Sequence, residues 1–396
     1  MLSQYDSIYS ILYFTYIALF LIIMFLMRSI FLFMAFLYSG LLLSQATESE
    51  TQAIEITQKA IELMDNGKIN ESLKLLNEAL KLDPENNDIK YEKAYAYYLD
   101  KNYKSAIKEL ETLRRKPDAS PAVYQLLGNS YDLNKKSKKA IEIYDIGLAQ
   151  FPKSGSLHLE RGNMELIQKN YSEALKYYEK GIEVDPFFPS NYYWASKIYL
   201  SGDNEVWGML YGEMFLNIER GTRRTQEISK LLYDTYVSEI TFTNDTSIKV
   251  SFSSNKLYIT NTNPDDIIEQ IASFGLLCYE PYLSLACLNQ KVINIKSLHE
   301  IRTNFLSLFN QKNQQQNFKN ILFDFQDSLI SKNNFEAYNY WLLNAGNPSE
   351  FQTWKDANKE KWDLFSNWFK ENGIPLTETN YFHKKKMKYS KIEESK

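Results

Sequence analysis

Residues 156–186 read SLHLERGNMELIQKNYSEALKYYEKGIEVDP. The spacing of apolar and small residues predicts two short amphipathic helices, about Ser156 to Gln168 and Ser172 to Val184, joined by the turn Lys169-Asn170-Tyr171. Gly162 and Ala174 belong where the two helices cross most closely, with Tyr178 and Leu166 or Ile167 packed around the crossing. Asp185-Pro186 ends the second helix, because proline cannot continue the hydrogen-bond ladder and turns the preceding residue away from helical geometry. A single helix pair cannot bury its apolar stripe, so copies of it must pack on one another.

Copies are present. Small residues stand at Ala60, Ala94, Gly128, Gly162 and Ser196, each 34 after the last, and a second series keeps the same phase at Ser72, Ala106, Ala140, Ala174 and Gly208. Large residues fall between them at Leu63, Tyr97, Tyr131 and Tyr199 and at Leu76, Leu110, Tyr144 and Tyr178, and units close at Pro84, Pro152 and Pro186. This period and residue order resemble the tetratricopeptide repeat family. The resemblance runs from Thr51 to Arg220 and implies a five-unit α-solenoid, residues 51–220. The second unit has Asp118 beside Pro117 at its close. The fifth has Gly208 and Gly212 in its second helix and Arg220 at its closing position, and reads as a distorted or terminal unit.

In that family the first helices of successive units line a concave surface. The corresponding positions here are Tyr91, Tyr95 and Tyr98, then Gln125, Asn129 and Asp132, then Leu159, Asn163 and Leu166, and finally Tyr193 and Lys197. The resemblance therefore implies a groove for a protein or peptide segment. Tyrosine offers broad contact at low entropy cost, and asparagine can pair with an extended backbone. A clamp for a terminal carboxylate is not expected, since Gln125 and Leu159 stand where such clamps carry lysine.

The chain has 396 residues, with 45 basic against 49 acidic side chains and a net charge of −4, so no cationic field favours nucleic acid as a partner. Two Cys and three His cannot form a closely spaced four-ligand zinc site. His158, His299 and His383 are scattered, and Asp265-Asp266 reads as a helix start. No catalytic residue, metal or cofactor is assigned. Cys278 and Cys287 could pair across the Glu280-Pro281 turn, but not within one continuous helix.

Between Ile8 and Leu43 the only charge is Arg28. Residues 8–27 are long enough to cross a bilayer. A chain begun at Met27 would instead carry one positive charge, a short apolar core and Ser44-Gln45-Ala46, the layout of a signal peptide cut after Ala46. Residues 1–46 are thus expected to direct export to the periplasm or cell envelope of a Gram-negative cell, or else to anchor the chain in the inner membrane through 8–27. Contact with the membrane is expected only through this segment.

After a connecting helix at 221–238, residues 239–383 predict an α+β region. Ile240–Phe242, Ile248–Phe252 and Leu257–Ile259 alternate apolar and polar residues as two or three strands of a short meander. Helices are expected at Ile267 to Phe274 and at about 297–310, 316–331, 334–345 and 349–372, the last with Trp354, Trp362, Phe365 and Trp368/Phe369 on one face, read as core. Residues 384–396 form a charged tail expected to be solvated. The expected class is mostly α, a tetratricopeptide-like solenoid followed by a smaller α+β region. The expected function is an exported interaction module, adaptor or scaffold. The alternative is an enzyme or glycan-binding activity in the C-terminal region, with the repeats as a recruitment module.

Overall fold

The computed structural model describes residues 48–244, 247–253, 273–312 and 314–387. The expected export segment, the strand at 257–259 and the helix start at Asp265-Asp266 lie outside these residues. The chain divides into two compact units, 1–135 and 136–396.

The first unit contains helices α1 (48–65), α2 (Ile69–Leu82), α3 (Asn87–Leu99), α4 (Tyr103–Leu113) and α5 (Pro121–Leu133). Its core is built of small and medium side chains, Ala53, Ala60, Met64, Leu76, Ala79, Ile89 and Ala96, which lets helices approach closely. The second unit opens with α6 (Ser137–Gln150), α7 (Gly155–Ile167), α8 (Tyr171–Val184), α9 (Pro189–Leu200) and α10 (Glu205–Ile218). First helices begin at 87, 121, 155 and 189 and second helices at 69, 103, 137, 171 and 205, so the 34-residue period of the sequence is the period of the structure. The expected crossing is present in α7 and α8: a Cβ on Gly162 would sit 2.5 Å from the Tyr178 ring.

The turns between paired helices repeat as well. Gly67, Lys101, Lys135 and Lys169, each 34 after the last, have φ of 74°, 60°, 61° and 63°. At three of them the next amide reaches back five residues, Lys68 to the Leu63 carbonyl, Asn102 to Tyr97 and Asn170 to Glu165, at 2.8, 2.9 and 3.0 Å. This is a left-handed cap that satisfies helix-end carbonyls. Asn333, with φ 57°, makes the same turn near the C-terminus, where the Asn334 amide bonds the Leu329 carbonyl at 2.8 Å.

The fifth pair departs from the expectation of a distorted end unit. The Ser196 hydroxyl donates to the Gly208 carbonyl at 2.8 Å, and a Cβ on Gly208 would meet the Leu200 backbone nitrogen at 2.7 Å. Gly208 therefore serves a tight crossing. Helix α10 is buried along most of its length, so it is an inner element and not an exposed end. The next helix, α11 (Arg223–Glu239), is more than the expected connector, for it begins 34 residues after α9 and holds the phase of a sixth first helix. Lys230 stands at its small-residue position; it is exposed and pairs with Asp234 at 2.8 Å.

Helix α11 runs straight into β1 (Ile240–Asn244), paired antiparallel with β2 (Ser247–Val250) in the register Ile240↔Val250 and Phe242↔Ile248. A π-helical turn, Gly275–Tyr279, leads into α12 (Glu280–Ala286), followed by α13 (Ile295–Gln311), α14 (Gln314–Asn317), α15 (Ile321–Ser331), α16 (Phe335–Leu343), α17 (Pro348–Ala357) and α18 (Lys359–Glu371). Two expected helices are broken. Asn320 caps α15 by accepting from the Phe323 amide at 2.9 Å, which ends the helix expected from 316. Asn358, with φ −126° and ψ 38°, separates α17 from α18 within the expected 349–372 helix. The aromatic face of these helices is core: Trp354 stacks on Tyr340 at 4.2 Å and 10°, and Phe365 stacks on Phe369 at 5.0 Å.

Cys278 and Cys287 are unpaired and buried. The start of the basic run is docked, against the expectation of a solvated tail. Phe382, His383 and Met387 are buried, and the Lys384 ammonium lies 3.0 Å from Glu179 and also bonds Tyr199.

Candidate functional site

Helix α3 is started by Asn86, whose side chain accepts from the amides of Asp88 and Ile89 at 3.0 and 3.1 Å. It is oriented by Ile89, Ala94 and Ala96, which face the core. That orientation turns Tyr91, Tyr95 and Tyr98 away from the core. Tyr95 is 37% exposed and lies nearly parallel to Tyr98, with ring centroids 6.3 Å apart at 14°. Tyr103 meets Tyr98 edge-on at 5.9 Å. Burial and the neighbouring Glu92 carboxylate push the Tyr91 hydroxyl's pKa up. On α5, proline at the first position and the buried set Val123, Tyr124, Leu126, Leu127, Gly128, Ser130 and Tyr131 leave Gln125, Asn129 and Asp132 partly exposed. Helices α3 and α5 are in contact within the first unit.

In the second unit the corresponding positions are engaged by the protein itself. Asn163 accepts from the Tyr178 hydroxyl at 2.9 Å and donates to Glu160 at 3.1 Å, while Leu159 is buried. The Tyr193 hydroxyl donates to Glu227 on α11 at 2.7 Å. The Lys197 ammonium reaches the other Glu227 oxygen at 2.7 Å and lies 5.1 Å from the centroids of both Tyr193 and Trp194. The hydrogen bond from Lys197 holds the Glu227 carboxyl below the usual range. The Arg224 guanidinium also lies over the Tyr193 ring, 5.1 Å from its centroid. Sequence reasoning missed Glu227 and Arg224. Their signal was the period itself: Glu227 lies 34 after Tyr193, and Arg224 donates to Ser190, 34 before it.

Further along, a buried polar cluster joins α10 to the C-terminal helices. Arg302 donates to both Glu213 oxygens at 2.7 and 3.0 Å, and the same carboxylate accepts from Gln326 at 2.6 Å and Tyr338 at 2.9 Å. The cavity beside it has about 20 Å³, room for one water molecule. The histidines stay apart, His158 bonded to the Pro152 carbonyl, His299 beside Asn339 and His383 on the Glu179 carbonyl. Among the described residues no group of three or more His, Cys, Asp or Glu is placed to hold a metal, and no helix is long and apolar enough to cross a membrane.

Residues 63–129 and 126–189 each match a family model of the tetratricopeptide repeat. Solved structures to which the chain is similar include a thermophilic tetratricopeptide repeat protein of Thermus thermophilus, 16% identical, covering 46% of this chain and 98% of that one at a TM-score of 0.40. PilF of Pseudomonas aeruginosa is 16% identical over 48% of this chain and 86% of its own, at 0.40. PilW, a widely conserved type IV pilus biogenesis factor, is 19% identical over 46% and 83%, at 0.38. No curated protein matches the chain in sequence. Tetratricopeptide repeats bind peptide or protein partners and are in general a non-catalytic interaction scaffold. Beyond 189 the 34-residue spacing of helix starts continues through α10 and α11.

Proposed function

We propose that this protein is an interaction module that holds an extended segment of a partner protein against the first helices of its N-terminal repeats. The observation that carries the reading is the outward tyrosine face of α3, with Tyr95 37% exposed and Tyr91 and Tyr98 beside it. Aromatic side chains presented on a rigid helix lose little entropy on binding and cover much partner surface. The neighbouring Gln125, Asn129 and Asp132 on α5 add polar groups suited to a peptide backbone. Asn163, Tyr193 and Lys197 play the lesser part, because Tyr178 and Glu227 already engage them.

The test is affinity capture of the tagged chain from its own cells, followed by mass spectrometry, beside a variant with Tyr91→Ala and Tyr95→Ala. A stoichiometric protein lost from the variant, with thermal unfolding unchanged, is the expected result. A partner retained by the variant overturns the assignment of this face.

The same proposal includes export to the envelope, supported by the apolar run around Arg28 and the small residues Ser44 and Ala46. The N-terminal peptide of the captured chain tests it. Cleavage leaving Thr47 first is expected, whereas a retained 8–27 segment turns the proposal into one of membrane anchoring.

A further inference from the structure

The tyrosine face of α3 also carries charge of one sign. Asp88, Tyr91, Glu92, Tyr95 and Tyr98 follow i, i+3, i+4, i+7 and i+10, which puts them along one side of the helix. Glu92 is half-buried there. The lysines of the same helix are directed elsewhere, Lys90 to Glu85 at 3.4 Å and Lys93 to Glu109 at 3.5 Å. Burial first, then the negative charges of Asp88 on its own helix and Asp65 at the end of α1, hold the Glu92 carboxyl above the usual range.

The protein shows how this chemistry is satisfied at the same repeat position elsewhere. Tyr193 lies three periods after Tyr91, and there a lysine of the chain, Lys197, sits between the tyrosine ring at 5.1 Å and a carboxylate, Glu227, at 2.7 Å. Lys197 in turn occupies the repeat position of Tyr95. Where α9 brings its own cation, α3 brings a second tyrosine, and among the described residues no Lys or Arg pairs with Asp88 or Glu92.

We propose that the partner segment held by α3 is basic, presenting lysine or arginine to Glu92, Asp88 and Asp65 beside the rings of Tyr91 and Tyr95. A charged head would meet the carboxylates, and its aliphatic stem and cationic face would lie on the tyrosines. This inference rests on the peptide-binding reading above and specifies the charge of what is bound.

A random peptide library panned on the full chain tests both, with counter-selection on the Tyr91→Ala, Tyr95→Ala variant. The expected outcome is enrichment of lysine- and arginine-containing peptides, with the best of them weakened about tenfold by Glu92→Gln when titrated by fluorescence anisotropy. Thermal unfolding of Glu92→Gln is expected at or above the parent's, since the change removes a half-buried charge held among like charges. Tyrosine-dependent peptides that are neutral or acidic, or basic ones indifferent to Glu92→Gln, would overturn the charge inference and leave the groove standing. Enrichment that does not depend on the tyrosines would overturn the groove reading and this inference with it.

Discussion

Two buried or half-buried carboxylates in the C-terminal unit have opposite settings. Glu213 is fully surrounded by donors, with Arg302 bidentate on it and both side chains under 10% exposed. Removing one member leaves a buried charge uncompensated, so Arg302→Met is expected to cost about 3–5 kcal/mol in urea unfolding. Arg302→Met combined with Glu213→Leu is expected to cost less than the single change, because the stranded charge goes too. Glu205, at the start of α10, has no such partner among the described residues. Burial first, then the charges of Glu239, Asp203 and Glu280, push its carboxyl from 4.5 up to about 7. The folded state thus keeps a proton that the unfolded chain has released, and stability falls as pH rises through that window. Glu205→Gln is expected to flatten this slope and to raise stability at pH 8 by about 1 kcal/mol, less than the full shift implies because solvent screens a half-exposed group. Unfolding curves of both proteins between pH 5 and 8 check it, and parallel slopes would count against the assignment.

At the scale of helices and turns, the left-handed caps are the repeat's least obvious constant. Three of the four in-phase positions, Lys101, Lys135 and Lys169, carry a side chain where only Gly67 is free of the Cβ clash. Lys101→Gly and Lys169→Gly are each expected to stabilise by about 0.5–1 kcal/mol, read as a shift in the urea midpoint at unchanged slope. Legibility follows the same logic. The pairs are readable because the small residues Gly162 and Ser196 sit at tight helix crossings, and the prolines at 84, 152 and 186 cannot continue a helix. Helix α11 reads only as a connector because Lys230, facing solvent, has no second helix to make room for and so lacks the small residue that marks the phase. The breaks at Asn320 and Asn358 escape the pattern because asparagine is common inside exposed helices as well as at their ends. Of the candidate face, the tyrosine positions follow from the resemblance to the repeat family once the 34-residue register is set. The engagement of Tyr193 and Lys197 by Glu227 depends on a helix that the pattern does not count.

Over the whole molecule, the C-terminal unit is closed by residues far along the chain. Phe382 is fully buried and meets the Tyr211 ring edge-on at 5.3 Å, and the His383 ring bonds the Glu179 carbonyl at 3.2 Å. Phe382→Ala is expected to cost about 3–5 kcal/mol. All six tryptophans, from Trp194 to Trp368, lie in the 136–396 unit, so their fluorescence reads its unfolding alone. A tryptophan transition unmoved by Phe382→Ala would show that this strap contributes little. Burial also lowers the pKa of His383, so the folded unit resists protonating it and loses stability as pH falls below the ordinary histidine value of 6.5. The strap has a further consequence in time. Lys384 bonds Tyr211, which was synthesised 173 residues earlier. At about 5–20 residues per second, the ribosome needs roughly 10–35 s to supply that contact. Throughout that interval the nascent chain leaves the Phe382- and Lys384-covered side of Tyr211 open, a span in which chaperones can take hold of it before the unit shuts.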